Sequence, residues 1–176
     1  MKFLPSLLLF LFYSSLNAQN NASVTTAGIG EIKLGMNRAE LEKLTGQPVK
    51  LVHLLKKENW ERDTLNILFR NVPYQVIMDR DYINEKGTGF IIYEVKTNST
   101  GIKTRSGISI GDDKLKIIST YNDYMIQIMP EYEDDNQTKS KTRSTVWLHG
   151  DDGKLIVFYL TNNKVTGFSV MYDEGC

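Results

Sequence analysis

An internal repeat constrains the fold of this chain more than any other feature of its sequence. The segment GEIKLGMNRAELEKLTGQ at 30–47 matches SGISIGDDKLKIISTYND at 106–123, with Gly35 aligned to Gly111 at an offset of 76 residues. Each copy begins with an apolar-x-apolar pattern, which is typical of a short strand because side chains alternate along a strand. A glycine then permits a tight turn. The chain is therefore expected to fold as two similar halves.

A capped helix is predicted directly after each glycine turn. Asn37 and Asp113 are residues that favour the N-cap position, and Glu40 completes a capping box with Asn37. Apolar residues then recur at helical spacing in both segments, which predicts two amphipathic helices. One face of each helix is expected to be covered by a sheet.

The rest of each half is rich in β-branched, aromatic and long apolar residues, which predicts the strands of that sheet. The predicted strands are 49–54, 64–69, 74–78 and 90–95 in the first half, and 124–129, 144–149, 154–160 and 164–172 in the second. Short polar turns join the last three strands, so they are expected to form an antiparallel meander. The predicted fold class is α+β: two tandem repeats, each with a short strand, a capped helix and an antiparallel β-meander, in two layers with helices on the sheet.

The amino terminus has the features of a secretory signal peptide over residues 1–18. Lys2 precedes an apolar run at 3–13, and Ala18 offers the small side chain that processing enzymes require. A run of about 11 residues is too short to span a bilayer. No Cys follows the run, so no lipid anchor is expected. The mature chain is predicted to be soluble and exported, in the periplasm or outside the cell.

The predicted organisation is a signal peptide at 1–18, a flexible lead-in at 19–29, a first α/β repeat at 30–100 and a second at 101–176. The chain of 176 residues has 21 Lys and Arg against 21 Asp and Glu, a formal charge of zero, which argues against nucleic-acid binding. A single Cys, Cys176, excludes an intramolecular disulfide. Two His residues are too few for a histidine-based metal site. No metal, cofactor or catalytic residue is predicted.

One motif favours an enzymatic function, which is the weaker of the alternatives. GISIG at 107–111 matches G-x-S-x-G, the nucleophile elbow of hydrolases, with Ser109 as the nucleophile. Ser109 aligns with Lys33 in the first repeat, and the turn falls at Gly111 instead of at the serine. His149 is the only later histidine, and its plausible acidic partners precede it in an apparent loop. The chain is predicted not to be an enzyme, with a small hydrolase using Ser109 as an alternative.

Three aromatic residues are candidates for binding a partner, because Trp and Tyr supply many of the dominant contacts in protein interfaces. Trp60 lies in a charged segment where no apolar periodicity requires it. Trp147 alternates with polar residues along a predicted strand, and Tyr159 lies on the next strand. Core packing is the competing explanation for all three side chains.

The order of these elements resembles a known family. The apolar-x-apolar-Gly pattern, the capped helix and a meander that closes on VTGFSV at 165–170 resemble the α/β module of the small outer-membrane lipoproteins SmpA/OmlA. Two such modules in tandem are similar to the β-lactamase inhibitor protein family. The chain departs from the first family in lacking the lipidated Cys, and from the second in lacking its disulfide cysteines. No binding residue of either family transfers to a position here.

The resemblance implies a non-enzymatic module that presents a sheet surface to another protein. The expected function is therefore an exported, soluble protein-binding module of the bacterial envelope or secretome, either inhibitor-like or an assembly accessory. The expected partner is another envelope or secreted protein. A small-ligand carrier with a pocket between helix and sheet is the alternative. The partner's identity and the oligomeric state stay open.

Overall fold

The computed structural model describes residues 22–55, 61–81 and 89–175, and most of its regular structure is β-strand. The predicted signal peptide, Trp60 and Cys176 lie outside the described residues. The strands are β1 Ser23–Thr25, β2 Gly28–Ile29, β3 Ile32–Lys33, β4 Asp63–Phe69, β5 Val72–Arg80, β6 Phe90–Thr97, β7 Lys103–Thr104, β8 Ile126–Tyr132, β9 Lys139–His149, β10 Lys154–Thr161 and β11 Lys164–Tyr172. The helices are α1 Arg38–Thr45 and α2 Lys114–Thr120.

A seven-stranded antiparallel sheet forms the body of the protein, in the order β4-β5-β6-β11-β10-β9-β8. The meander β4–β6 and the meander β8–β11 join through their last strands, β6 and β11. Val95 of β6 pairs with Val170 of β11, which lies 75 residues further along the chain. The two closing strands therefore lie side by side at the centre of one continuous sheet.

A smaller sheet in the order β3-β2-β1-β7 covers part of the core. Its strand pairs are antiparallel except for β1 with β7, which is parallel. The strands β1 and β2 contact β11, and β2 and β3 contact β6. The sequence predicts a flexible lead-in at 19–29, whereas the structure forms β1 and β2 there, with Val24 and Ile29 buried. Both strands are anchored because each places an apolar side chain in the core.

The predicted fold class, a two-layer α+β fold with helices on the sheet, is wrong, because the protein is mostly β. The helices have eight and seven residues, or about 12 Å and about 10 Å of length. The large sheet is about 29 Å wide at about 4.8 Å per strand. Leu41 is the buried residue of α1 and Ile117 that of α2. Helices this short cannot form a layer, and the small sheet closes much of the core in their place.

The local signals at the helix starts are confirmed even though the layer arrangement is not. The Asn37 side chain accepts a hydrogen bond from the Glu40 N–H at 3.0 Å, and the Glu40 carboxylate accepts one from the Asn37 N–H at 2.8 Å. Asp113 accepts from the Leu115 N–H at 2.9 Å. Each N-cap residue also bridges to the start of a closing strand: Asn37 to Ile91 and Asp113 to Lys164. The division into repeats at 30–100 and 101–176 stays a prediction.

One row of residues across the large sheet shows why its strands hold this register. The row faces the core, takes one residue from each strand, and is apolar throughout. Its members are Leu65, Val76, Val95, Val170, Ile156, Leu148 and Ile126. A shift of one residue in any strand would turn its apolar side chains away from the core, so the apolar pattern fixes the register.

No helix in the described ranges is long and apolar enough to cross a membrane.

The predicted strand at 49–54 is instead a turn that is held by a buried carboxylate. Asp63 accepts hydrogen bonds from the N–H groups of Val52 at 3.0 Å, His53 at 3.1 Å and Leu54 at 3.0 Å. Burial by itself raises the pKa of Asp63, but the three hydrogen bonds outweigh it and hold the pKa below its usual value. The apolar residues of this segment reach the core from a turn, because the carboxylate replaces the partners of a sheet.

We expect Asp63→Asn to lower the free energy of unfolding by about 1–3 kcal/mol at pH 7, because an amide is a weaker acceptor for three buried N–H groups. The pKa of Asp63 is lower in the folded protein than in the unfolded chain, where it is about 3.9. Asp63 therefore contributes to the free energy of unfolding above about pH 3.9, and this contribution is lost as the pH falls through the folded pKa. Urea unfolding at pH 7 and near pH 2 measures both effects. Asp134→Asn, at an exposed turn, is the control and should change neither. If Asp63→Asn lowered the free energy of unfolding equally at both pH values, the ionised carboxylate would not be the group that holds the turn.

Candidate binding cleft on the polar face of the sheet

The face of the large sheet opposite the core carries a second row of residues, and this row is mostly polar. It lies one residue along from the apolar row in every strand, so alternation places it on the other face. Its members are Asn66, Gln75, Lys96, Ser169, Val157, Trp147 and Gln127. Five of these seven side chains are polar or charged. The same strands thus have an apolar face and a hydrogen-bonding face.

An open cleft of about 680 Å³ lies on this face. Its lining residues come from five adjacent strands, β4, β5, β6, β11 and β10, which span about 19 Å. Leu68, which is 61% exposed, and Pro73 form an apolar wall at one end. Lys96 and Tyr159 lie at the other end, where both are half-buried. The volume falls in the range of ligand sites in proteins, about 300–1,000 Å³.

A buried polar cluster lies beside Lys96 on the same face of the sheet. The Lys96 ammonium lies 3.2 Å from the Glu94 carboxylate and 5.7 Å from the centre of the Tyr159 ring. The hydroxyl of Ser169, which is fully buried, donates to the same Glu94 oxygen. Glu94 is itself only 6% exposed. Three strands, β6, β11 and β10, therefore contribute to one cluster at the point where the two meanders meet.

The cluster keeps the lysine charged. Burial by itself lowers the pKa of Lys96, but the Glu94 carboxylate and the Tyr159 hydroxyl more than offset it, so the pKa lies above its ordinary value. Burial is the main reason that the pKa of Tyr159 is also raised, which keeps the phenol protonated. At neutral pH the end of the cleft thus holds an ammonium group and a phenol hydroxyl, both of which donate hydrogen bonds.

A buried ion pair of this kind is weak evidence for stability, because removing two charges from water costs about as much as their attraction returns. Its geometric effect is clearer: Glu94 and Ser169 lie beside Lys96 on the same face of the sheet and hold the ammonium at the end of the cleft. Lys96 is the one charged residue among the described residues that line the cleft. The arrangement is suited to binding a carboxylate or a carbonyl oxygen. Ser169, being fully buried, is not placed to act as a nucleophile.

The three predicted partner-binding residues differ in how they relate to the cleft. Tyr159 lines the cleft and contacts Lys96. Trp147 lies in the same polar row as Lys96 but three strands away, at about 14 Å. Its indole N–H donates to Thr145 on its own strand at 3.0 Å. Trp60 lies outside the described residues. The structure thus brings only Tyr159, among the described candidates, to the cleft.

Glu94 and Lys96 were missed by reasoning from the sequence, although a signal is present. The strand FIIYEVKT at 90–97 carries two charged residues at i and i+2 around Val95. This spacing places both charges on the face opposite Val95, in a strand that is otherwise apolar. Opposite charges on one face of a central strand are unusual, because charged residues are rarely buried unless paired. Ser169 carries no comparable signal, since only the strand pairing brings it beside them.

The residues of the hydrolase alternative have other partners. The Ser109 N–H donates to the Asp112 carboxylate at 2.7 Å, and Ser109 pairs with Lys103 in an isolated bridge. His149 Nδ1 lies 3.1 Å from the Asp173 carboxylate. His149 Nε2 is buried and has no hydrogen-bond partner in the described part of the chain. This geometry gives no support to a Ser109–His149 pair.

Another ionic cluster on the large sheet is satisfied by its own members. The Arg62 guanidinium pairs with Asp79 at 2.6 Å and with Glu174, and it stacks over the Tyr93 ring at 3.8 Å. The Tyr93 hydroxyl donates to the backbone oxygen of Tyr172 at 3.1 Å. These contacts join β5, β6 and the end of β11, so the cluster fastens the carboxyl terminus to the sheet. Within the described ranges, no group of three or more His, Cys, Asp or Glu residues is arranged to hold a metal ion.

Comparison with known proteins finds no family model, no curated protein and no solved structure that matches this chain. The cleft therefore has to be interpreted from its own residues.

We expect Glu94→Gln to lower the pKa of Lys96 below its ordinary value, because the burial that opposes the charge stays while the paired carboxylate is lost. An NMR titration of the Lys96 side chain measures this shift. Asp152→Asn, which removes the carboxylate 2.8 Å from Lys154 at an exposed turn, is the matched control and should leave Lys96 unchanged. An unchanged titration of Lys96 in Glu94→Gln would show that Glu94 does not control its charge.

Proposed function

We propose that the protein is an exported protein-binding module of the bacterial envelope or secretome, and that the cleft binds an extended segment of the partner. The observation that carries this proposal is the single ammonium group fixed at one end of an open cleft that crosses five strands. The predicted signal peptide at 1–18 supports the exported location. The resemblance to the SmpA/OmlA module and to the β-lactamase inhibitor protein family supports a binding role, either inhibitor-like or assembly-accessory.

The dimensions of the cleft favour a peptide segment. An extended chain advances about 3.3 Å per residue, so about 19 Å accommodates roughly six residues. The amide side chains of Asn66 and Gln75 are exposed on the floor and can each donate and accept hydrogen bonds with a peptide backbone. Leu68 and Pro73 offer apolar contact at one end. A segment with apolar and polar side chains in succession would use all three features.

The charge of the cleft favours a carboxylate in that segment. Lys96 has three N–H donors, and Glu94, which contacts the ammonium, is not among the residues that line the cleft. An acidic side chain of the partner would gain a charge-assisted hydrogen bond in a half-buried setting, where such bonds are about twice as strong as neutral ones. The ring of Tyr159 would pack beside the same group. The proposed segment therefore carries an Asp or Glu near one end.

A small-ligand carrier is a second candidate, and the volume of about 680 Å³ is the observation that favours it. The cleft is open along its length, whereas carriers usually enclose most of the ligand. A carrier would bind an organic acid at Lys96 with no macromolecular partner. The alternative of a small hydrolase has no such supporting observation.

The partner is tested by crosslinking pull-down from native envelope and culture medium, with the purified protein as bait. We expect one protein to be recovered in stoichiometric amount. Lys96→Met and Tyr159→Ala should each weaken binding about tenfold or more, because each removes a group that contacts the proposed acidic side chain of the partner. Tyr132→Ala is the matched control: Tyr132 is an exposed aromatic residue on β8, outside the cleft, and its removal should have no effect. Trp60→Ala as a further bait tests the prediction from the sequence.

Equal recovery by wild type and both cleft variants would contradict a role for the cleft in partner binding. If no protein is recovered, screening of small organic acids by their effect on the thermal unfolding temperature tests the carrier. Stabilisation that disappears in Lys96→Met would favour the carrier over the binding module.

A further inference from the structure

Several basic side chains around the small sheet have no acidic partner in the described part of the chain. Lys33 ends β3, Lys103 lies in β7, and Arg105 follows β7 directly. Within the described ranges, no Asp or Glu lies within ion-pair distance of these three residues. Elsewhere on the described surface, many cations are paired; Arg38 with Glu42 and Lys116 with Asp112 are examples. These three cations thus lie together around one sheet, with no acidic partner among the described residues.

These cations line two adjoining grooves that share Arg105 as a common wall. The first groove, of about 570 Å³, is lined by Lys33, Arg70 and Arg105 together with Glu31. The second, of about 710 Å³, is lined by Lys103 and Arg105 and by several hydroxyl groups and backbone segments. Ser23 belongs to both linings. The grooves form one continuous basic surface that combines guanidinium, ammonium and hydroxyl donors.

Among the described residues that line the grooves, the one acidic residue is already engaged. Glu31 forms a two-pronged ion pair with Arg70, with contacts of 2.6 Å and 3.1 Å. The Lys33 ammonium donates to the backbone oxygen of Gly30 instead of to a carboxylate. Four cations against one carboxylate give the surface a net charge of about +3, whereas the whole chain has a formal charge of zero. The excess of positive charge is local to this surface and does not come from the overall composition of the chain.

The cations of the first groove repel one another. Partial burial lowers the pKa of Lys33, and the neighbouring Arg105 lowers it further, while Glu31 acts only weakly in the opposite sense. Two like charges at a partly desolvated groove raise the free energy of the protein, and an anion between them would remove this repulsion. The arrangement is the one expected of a site whose counter-ion comes from a ligand.

We propose that this basic surface is a binding site for a phosphoryl group, held by Lys33 and Arg105 with Lys103 at its edge. A carboxylate has one charge and two oxygens, whereas a phosphoryl group has up to two charges and three oxygens, which matches three separate cations. Arginine binds phosphate through two parallel N–H donors, and lysine acts as a point charge. Free phosphate and the phosphate of a lipid headgroup share this chemistry. The surface and the cleft share only Tyr74, so this site is independent of the proposed partner cleft.

Titration of the purified protein with inorganic phosphate, followed by backbone amide NMR, tests the site. We expect saturable shifts for residues 30–33 and 103–107. The double variant Lys33→Met/Arg105→Gln should weaken the affinity about tenfold or more, and Arg105→Lys, which keeps the charge, should weaken it less. Lys141→Met, which removes an exposed cation on β9, is the matched control. Thermal unfolding of each variant shows whether it is folded.

A second arm distinguishes the two sources of phosphate. Co-sedimentation compares vesicles of phosphatidylcholine with vesicles that also contain phosphatidylglycerol. Binding only to the anionic vesicles, lost in the double variant, supports the site and assigns it to a lipid headgroup; binding of inorganic phosphate alone supports the site and assigns it to free phosphate. If neither probe binds, or if the double variant binds both probes as wild type does, the proposal is overturned.

Discussion

The pairing of β6 with β11 is the contact on which the rest of the structure depends. Each meander ends in one of these strands, and their hydrogen bonds turn two meanders into one seven-stranded sheet. The pairing also completes the apolar row across the core, where Val95 and Val170 are fully buried. Without it, each meander would expose an unpaired strand edge, which is a poor arrangement for a stable or soluble protein.

The same pairing creates the chemistry of the opposite face. Because side chains alternate, the strand that buries Val95 must place Glu94 and Lys96 on the other side. The register then sets Ser169 directly opposite Lys96, and β10 brings Tyr159 beside them. A polar cluster of this kind is costly to bury, and it is satisfied here because three strands contribute its members. The cleft and its fixed charge are therefore properties of the assembled sheet.

The basic surface on the small sheet has a different origin. Lys33 and Arg105 lie about 70 residues apart in the chain, and the parallel pair of β1 and β7 brings their segments together. Elsewhere in the described part of the protein, most ion pairs join residues of the same helix, turn or hairpin, so opposite charges neutralise one another locally. The protein thus carries two distinct surfaces: a cleft with one fixed cation among its described lining residues, and a basic surface where Lys33, Lys103 and Arg105 have no acidic partner among the described residues.

The sequence by itself determined the local elements. Capping boxes, apolar alternation and turn residues act over a few positions, so the starts of α1 and α2 and the meander β9–β11 were predictable. Only the tertiary structure decided which elements form layers. The helices are too short to cover the sheet, β1 and β2 arise in a segment that was predicted to be flexible, and the segment 49–54 is a turn because the distant Asp63 satisfies its N–H groups. The spacing of Glu94 and Lys96 is visible in the sequence, but only strand pairing brings Tyr159 and Ser169 to them, since contacts between residues far apart in the chain depend on register and leave no local trace in the sequence.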